Sequence, residues 1–129
     1  MKYFSLILAT LLFCVNTSLF GANVLNDIAT ALGSNDVEKI STYINSNVDI
    51  TIEDNDDTYS KEQATVILND FLTKNPIKSI KLLHNGASGS NTQYAIASAV
   101  TKNGTYRVYM LIAKEADSFQ LVELRFEEE

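Results

Sequence analysis

The chain is poor in the residues that most catalytic and metal chemistry requires. Its 129 residues include one Cys, one Pro, five Gly, two Met and no Trp, and a single His. One histidine, His84, leaves no His-rich metal site, and a Ser-His-Asp triad would have to rest on that residue alone. One cysteine, Cys14, allows no disulfide within a chain. No glycine-rich phosphate loop and no metal-ligand spacing occurs. Basic residues are scarce as well: ten Lys and Arg stand against sixteen Asp and Glu, for a net charge of −6. Nucleic acid and anionic membranes are therefore poor partners, because both select basic patches.

Long apolar runs are missing except at the N-terminus. There Lys2 precedes an uncharged stretch from Tyr3 to about Val15, followed by small and polar residues through Gly21-Ala22. This order is that of a secretory signal peptide over residues 1–22, with an apolar core too short to span a bilayer comfortably. Phe13 before Cys14 argues against a lipid-anchored cysteine. The expected product is an exported protein, periplasmic or extracellular, with no stable membrane span once the signal is cut. Residues 23–129 carry nine basic and sixteen acidic side chains, a net of −7, and suffice for one domain.

What is present is β-sheet pattern. Asn103-Gly104 between two β-rich runs predicts a type I′ hairpin. Pairing Lys102 with Thr105 places Thr101, Ala99, Ala97 and Ala95 opposite Tyr106, Val108, Met110 and Ile112 on one face, which helices are expected to cover. A turn near Glu115-Ala116-Asp117 adds a third strand, pairing Val108 with Leu124 and Met110 with Val122. The other face carries Tyr94, Ile96, Tyr109, Leu111, Phe119 and Leu121 toward one end and Arg107, Glu123 and Arg125 toward the other. In that register Arg125 lies across from Arg107, with Glu123 diagonal to it. Exposed apolar patches commonly mark contact surfaces. Tyr94, Arg107, Tyr109, Leu111, Leu121, Glu123 and Arg125 are thus the candidate ligand or partner face, the competing reading being a cover by another segment of the chain.

Upstream, Val24, Leu25, Ile28, Ala29 and Leu32 recur at helical spacing, with Gly33 as C-cap. Ser34-Asn35-Asp36 offers an N-cap to a second helix through Ile44. Val48 to Glu53 alternates as a half-buried strand. Asp54, Asp56 and Thr58 have the spacing that opens a calcium loop, but Tyr59 replaces its Gly and Thr65 its final Glu. A solvated strand-to-helix turn is the favoured reading there, with weak calcium binding the lesser one. Ser60-Lys61-Glu62-Gln63 is a capping box for a helix that Asn75-Pro76 stops. Its face of Ala64, Ile67, Leu68, Phe71 and Leu72 is expected to cross the alanine rows. Ile77 to His84 supplies a further strand.

Helix, helix, strand, helix and four consecutive strands is an order similar to the nuclear transport factor 2-like, or cystatin-like, α+β cone, in which helices pack on a curved, mainly antiparallel sheet. The stretches Tyr59-Ser60-Lys61-Glu62-Gln63-Ala64, Lys74-Asn75-Pro76, Tyr94-Ala95-Ile96-Ala97, Gly104-Thr105-Tyr106-Arg107-Val108-Tyr109 and Glu123-Leu124-Arg125 together resemble a family of small exported bacterial proteins of unknown function. The resemblance implies fold and export, and it carries over no catalytic residue, metal or cofactor. Two functional expectations result. The first is a non-enzymatic binding or interaction module, homodimeric through the outer sheet face. The second is a small enzyme or carrier holding a small apolar ligand inside the cone.

Overall fold

Strict alternation along Ala95, Ala97 and Ala99 and along Val108, Met110 and Ile112 makes one sheet face wholly apolar, and every one of these six side chains is fully buried. The computed structural model describes residues 18–129. In chain order the elements are α1 (Ser18–Gly33), α2 (Val37–Ser41), β1 (Asn47–Ile52), β2 (Asn55–Ser60), α3 (Lys61–Lys74), β3 (Ile77–Ala87), β4 (Thr92–Thr101), β5 (Gly104–Glu115) and β6 (Ser118–Glu128). The six strands form one sheet in the order β2-β1-β6-β5-β4-β3. Only β1 and β6 run parallel; all other neighbours are antiparallel. This is the expected α+β cone. Of the stretch expected to be a signal peptide, residues 1–17, Cys14 among them, lie outside the described residues, and Ser18–Ala22 open α1. No described helix is long and apolar enough to cross a membrane.

One strand was not expected. Asn55–Ser60, read from sequence as a solvated turn, is β2, paired along its length with β1. It escapes a search for alternation because it is an edge strand whose first four residues are all exposed. Two of the side chains on the outward face of this hairpin are tied to hydroxyls: Asp56 accepts from Thr51 Oγ1 and Asp49 from Thr58 Oγ1. Among the described residues no three His, Cys, Asp or Glu side chains form a metal-binding group.

Two registers differ from expectation. In the β4–β5 hairpin Thr101 pairs with Gly104, and Ala97 pairs with Val108 where Met110 was expected. A shift of two residues keeps each side chain on its face. The turn residues are Lys102-Asn103, and the positive φ falls on Gly104 alone, at 136°. A type I′ turn is displaced because Asn103 has other partners: its Nδ2 donates to Lys74 O at 2.8 Å, tying the hairpin to the end of α3. Thr101 Oγ1 accepts from Asn103 N and donates to Gly104 O, which satisfies a buried hydroxyl.

The β5–β6 hairpin closes over Ala116-Asp117, near the expected turn, but Val108 pairs with Phe126 and Met110 with Leu124. Ile112 pairs with Leu121 and Leu111 with Glu123, leaving Val122 as an extra residue. This bulge reconciles two demands three residues apart, since Leu121 and Leu124 are both fully buried. Leu121 therefore belongs to the core, not to the outer face where sequence placed it. Phe119 likewise packs against the core.

The helices are also distributed differently. The capping box of α3 is present, with Ser60 Oγ accepting from Gln63 N and Gln63 Oε1 from Ser60 N. Yet α1 covers β3, β4 and β5, while α3 packs on α2, β1 and β2. Alanines on β4 let α1 approach closely. Phe71 of α3 reaches the sheet beside them, edge-on to Tyr106 at 5.4 Å and tilted against Phe126 at 4.6 Å. Gly33 ends α1, but the left-handed residue is Asn35, with φ 56°. Its amide accepts from Ile77 N and donates to Ile77 O, so the α1–α2 turn is pinned to β3.

Candidate functional site on the outer sheet face

The outer face is built by the strand residues that alternate with the core. Its rows run Ile96, Tyr109, Arg125 and Tyr94, Leu111, Glu123 across β4, β5 and β6. A second bulge, at Leu83 of β3, sets His84 opposite Ile96 and turns its ring onto this face. The His84 Nε2 and Tyr94 hydroxyl are 2.8 Å apart, in hydrogen-bonding contact. Tyr94 stacks on Tyr109, with centroids 6.1 Å apart and planes at 23°. The Arg125 guanidinium carbon lies 5.6 Å from the Tyr109 ring centroid, a cation–π contact. Three aromatic rings and a guanidinium thus run in one line across four strands.

Charge on this face differs from the expected arrangement. Arg125 faces Tyr109 across the sheet, and Arg107 faces Glu127. Arg125 Nη2 meets Glu123 Oε1 at 2.7 Å and Nη1 lies 3.9 Å from Glu127, while Arg107 Nε lies 4.0 Å from Glu129. Glu123 thus pairs with Arg125 along its own strand, because the two-residue register shift moves Arg107 away. Arg125 Nε is screened from water and has no acceptor within the protein. A cleft of about 140 Å³, lined by Ile96, Arg107, Tyr109, Arg125 and Glu127, lies on this face. Of the seven residues singled out from sequence, six share this face; Leu121 does not. His84 and Ile96 belong with them, and only the β3 bulge, which has no marker in the sequence, brings His84 there.

The interior is apolar. Among the described residues Thr101 is the one polar residue of the buried set, and no carboxylate or histidine lies within the core. The space between the helices and the alanine rows is filled by Leu25, Ile28, Leu32, Leu68 and their neighbours.

Three tyrosines hold their phenolic protons more tightly than usual. Burial raises the pKa of Tyr109 above 10.0, reinforced by Glu123 and Tyr94 and opposed by Arg125. Burial also raises Tyr43 and Tyr106, with Asp27 adding to the first and Glu53 and Glu128 to the second. A folded-state pKa above the unfolded value contributes stability that is whole below the unfolded pKa and lost as pH climbs through the folded one. Unfolding free energy is expected to fall above pH 10 from these groups and not below it. Denaturant titrations at a series of alkaline pH values check this, and Tyr→Phe replacements at the three positions should flatten the fall.

The model of the family described as a domain of unknown function (DUF4783) matches residues 25–127. A DUF4783 family protein from Bacteroides uniformis is similar in structure, with TM-score 0.78 and 20% identity over 83% of this chain and 98% of its own. Another, from Bacteroides ovatus, gives TM-score 0.76 and 21% identity over 80% and 93%. A nuclear transport factor 2-like protein from Cytophaga hutchinsonii gives 0.67 and 13% over 88% and 99%. No curated protein matches the chain significantly.

Proposed function

The chain belongs to the DUF4783 family, a family of unknown function with a nuclear transport factor 2-like fold, and on that premise we propose that it is an exported binding module that pairs with a second copy of itself through the outer sheet face. The observation that carries the reading is the line His84, Tyr94, Tyr109, Arg125 on a sheet face that no described helix covers. Stacked tyrosines and arginine are the side chains that most often anchor protein contacts. The face is self-complementary in charge. Arg107 and Arg125 lie among Glu123 and Glu127, so a two-fold axis placed between Arg125 and either glutamate would set arginine against glutamate on both sides.

Export is supported by the N-terminal order of Lys2, an apolar run and small residues. A role in binding is supported by the apolar interior, in which the described residues place no carboxylate or histidine. Leu111 sits half-buried in the middle row, beside Tyr94 and Glu123. Leu111→Lys is expected to weaken self-association about thirtyfold or more, the loss of a single strong contact residue, while leaving thermal stability nearly unchanged. Sedimentation velocity of variant and wild type reads this out. An unchanged dimer in the variant, or a monomeric wild type, would contradict the reading.

A further inference from the structure

We propose that a second site, the open cleft between α3 and the β1–β2 hairpin, binds a small amphipathic cation: an ammonium or guanidinium head on an apolar body. The cleft holds about 560 Å³ and is lined by the apolar side chains of Ile50, Ile52, Tyr59, Ile67 and Phe71, by Asp54, Asp56, Asp57 and Asp70, and by Lys74 with Asn55 and Asn75. That volume lies within the roughly 300–1,000 Å³ usual for small-molecule sites.

The ladder explains how apolar and acidic groups come together. Tyr59 pairs with Val48, Asp57 with Ile50 and Asn55 with Ile52, so Asp57 shares the inner face of the hairpin with side chains that belong to the core. Val48 and Ile50 are fully buried, whereas Ile52, Tyr59 and Ile67 remain half-exposed. An edge strand is commonly protected by charge. Asp56, on an outward position of β2, already serves that purpose, and Asp57 lies on the opposite face.

Negative charge in the cleft is only partly compensated, by Lys74. Asp70 is paired with Lys74 at 3.1 Å, but Asp54, Asp56 and Asp57 enter no ion pair among the described residues. Asp54 and Asp57, beside the apolar side chains of the cleft, favour a ligand with positive charge at one end and hydrocarbon at the other. An anion is repelled, and a neutral hydrocarbon leaves those carboxylates unanswered. The site is separate from the outer sheet face and does not depend on self-association there.

The test is a titration of octylammonium into the full chain, followed through the Ile52 and Ile67 methyl resonances, with octanol and octanoate as matched probes. Saturable shifts are expected with octylammonium, binding several-fold weaker with octanol and none with octanoate. The Asp54→Asn/Asp57→Asn pair is expected to weaken octylammonium about tenfold, from roughly threefold per exposed carboxylate, without loss of thermal stability. Leu111→Lys should leave the titration unchanged. Equal affinity for octanol and octylammonium, an unaffected double variant, or shifts confined to other methyls would overturn the proposal.

Discussion

Phe126→Ala is expected to lower unfolding free energy by about 3–5 kcal/mol, the range for a buried aromatic truncated to alanine. Phe126 is 1% exposed and stands where three parts of the fold meet. It pairs with Val108 on β5 and Ile52 on β1 and touches Phe71 of α3 at 4.6 Å. Phe71 in turn lies edge-on to Tyr106, so removing the Phe126 ring opens a void inside the aromatic cluster that joins α3 to the sheet. Small domains hold only about 5–15 kcal/mol in total, so the loss takes a large part of the margin. Urea denaturation is the measurement. Val66→Ala, on the same helix as Phe71 but 67% exposed, is the control and should change stability by less than about 0.5 kcal/mol. Equal effects of the two would mean that α3 does not dock through its aromatic face.

Asn35→Ala is expected to cost about 3 kcal/mol although Asn35 is only partly buried. Two physical terms add. Asn tolerates the left-handed backbone better than alanine does, and φ here is 56°. Its side chain also takes both backbone groups of Ile77, at 2.8 and 3.0 Å, and Ile77 is 5% exposed. Alanine would leave that N–H and C=O without partners where water has little access, at roughly 1–3 kcal/mol for each unsatisfied group. Asn35→Gly relieves the backbone term and leaves the hydrogen-bond term. Its destabilisation should be clearly smaller, and denaturant titration of the pair separates the two causes. Identical losses would place the whole effect in the lost hydrogen bonds.

These two residues show what was legible in the sequence. Phe126 is readable, since period-two alternation through Leu124 and Phe126 marks a core face whatever the exact register. Asn35 is readable as a cap residue but not as a bracket for Ile77, because its partners lie 42 positions away. The same division holds elsewhere. Capping of α3 is local chemistry and was evident; its docking on β1 and β2 depends on the whole sheet and was not. The faces of β4 and β5 survived a register shift of two because side-chain alternation has the same period. Leu121 was misplaced because the Val122 bulge carries no glycine or other local marker, and its cause is burial of residues on either side. The edge strand β2 left no trace in hydrophobic pattern because it buries little.

For the outer face, the sequence located the participants and the structure arranged them. Tyr94, Tyr109 and Arg125 were expected on one surface; the stacking order, the Glu123–Arg125 pair and the place of His84 follow from two bulges and a shifted register. A surface so arranged has its tyrosines and arginine already positioned for contact. Little side-chain freedom remains to be lost on binding.

The central claim is that this face is where two copies meet. Sedimentation equilibrium of residues 23–129, across the micromolar range, tests most directly whether two copies meet through this face. The expected result is a mass of two chains that falls toward one on dilution and also falls when Arg125→Glu sets like charges across the two-fold axis. A mass of one chain at every concentration, or a dimer indifferent to Arg125→Glu, would contradict it.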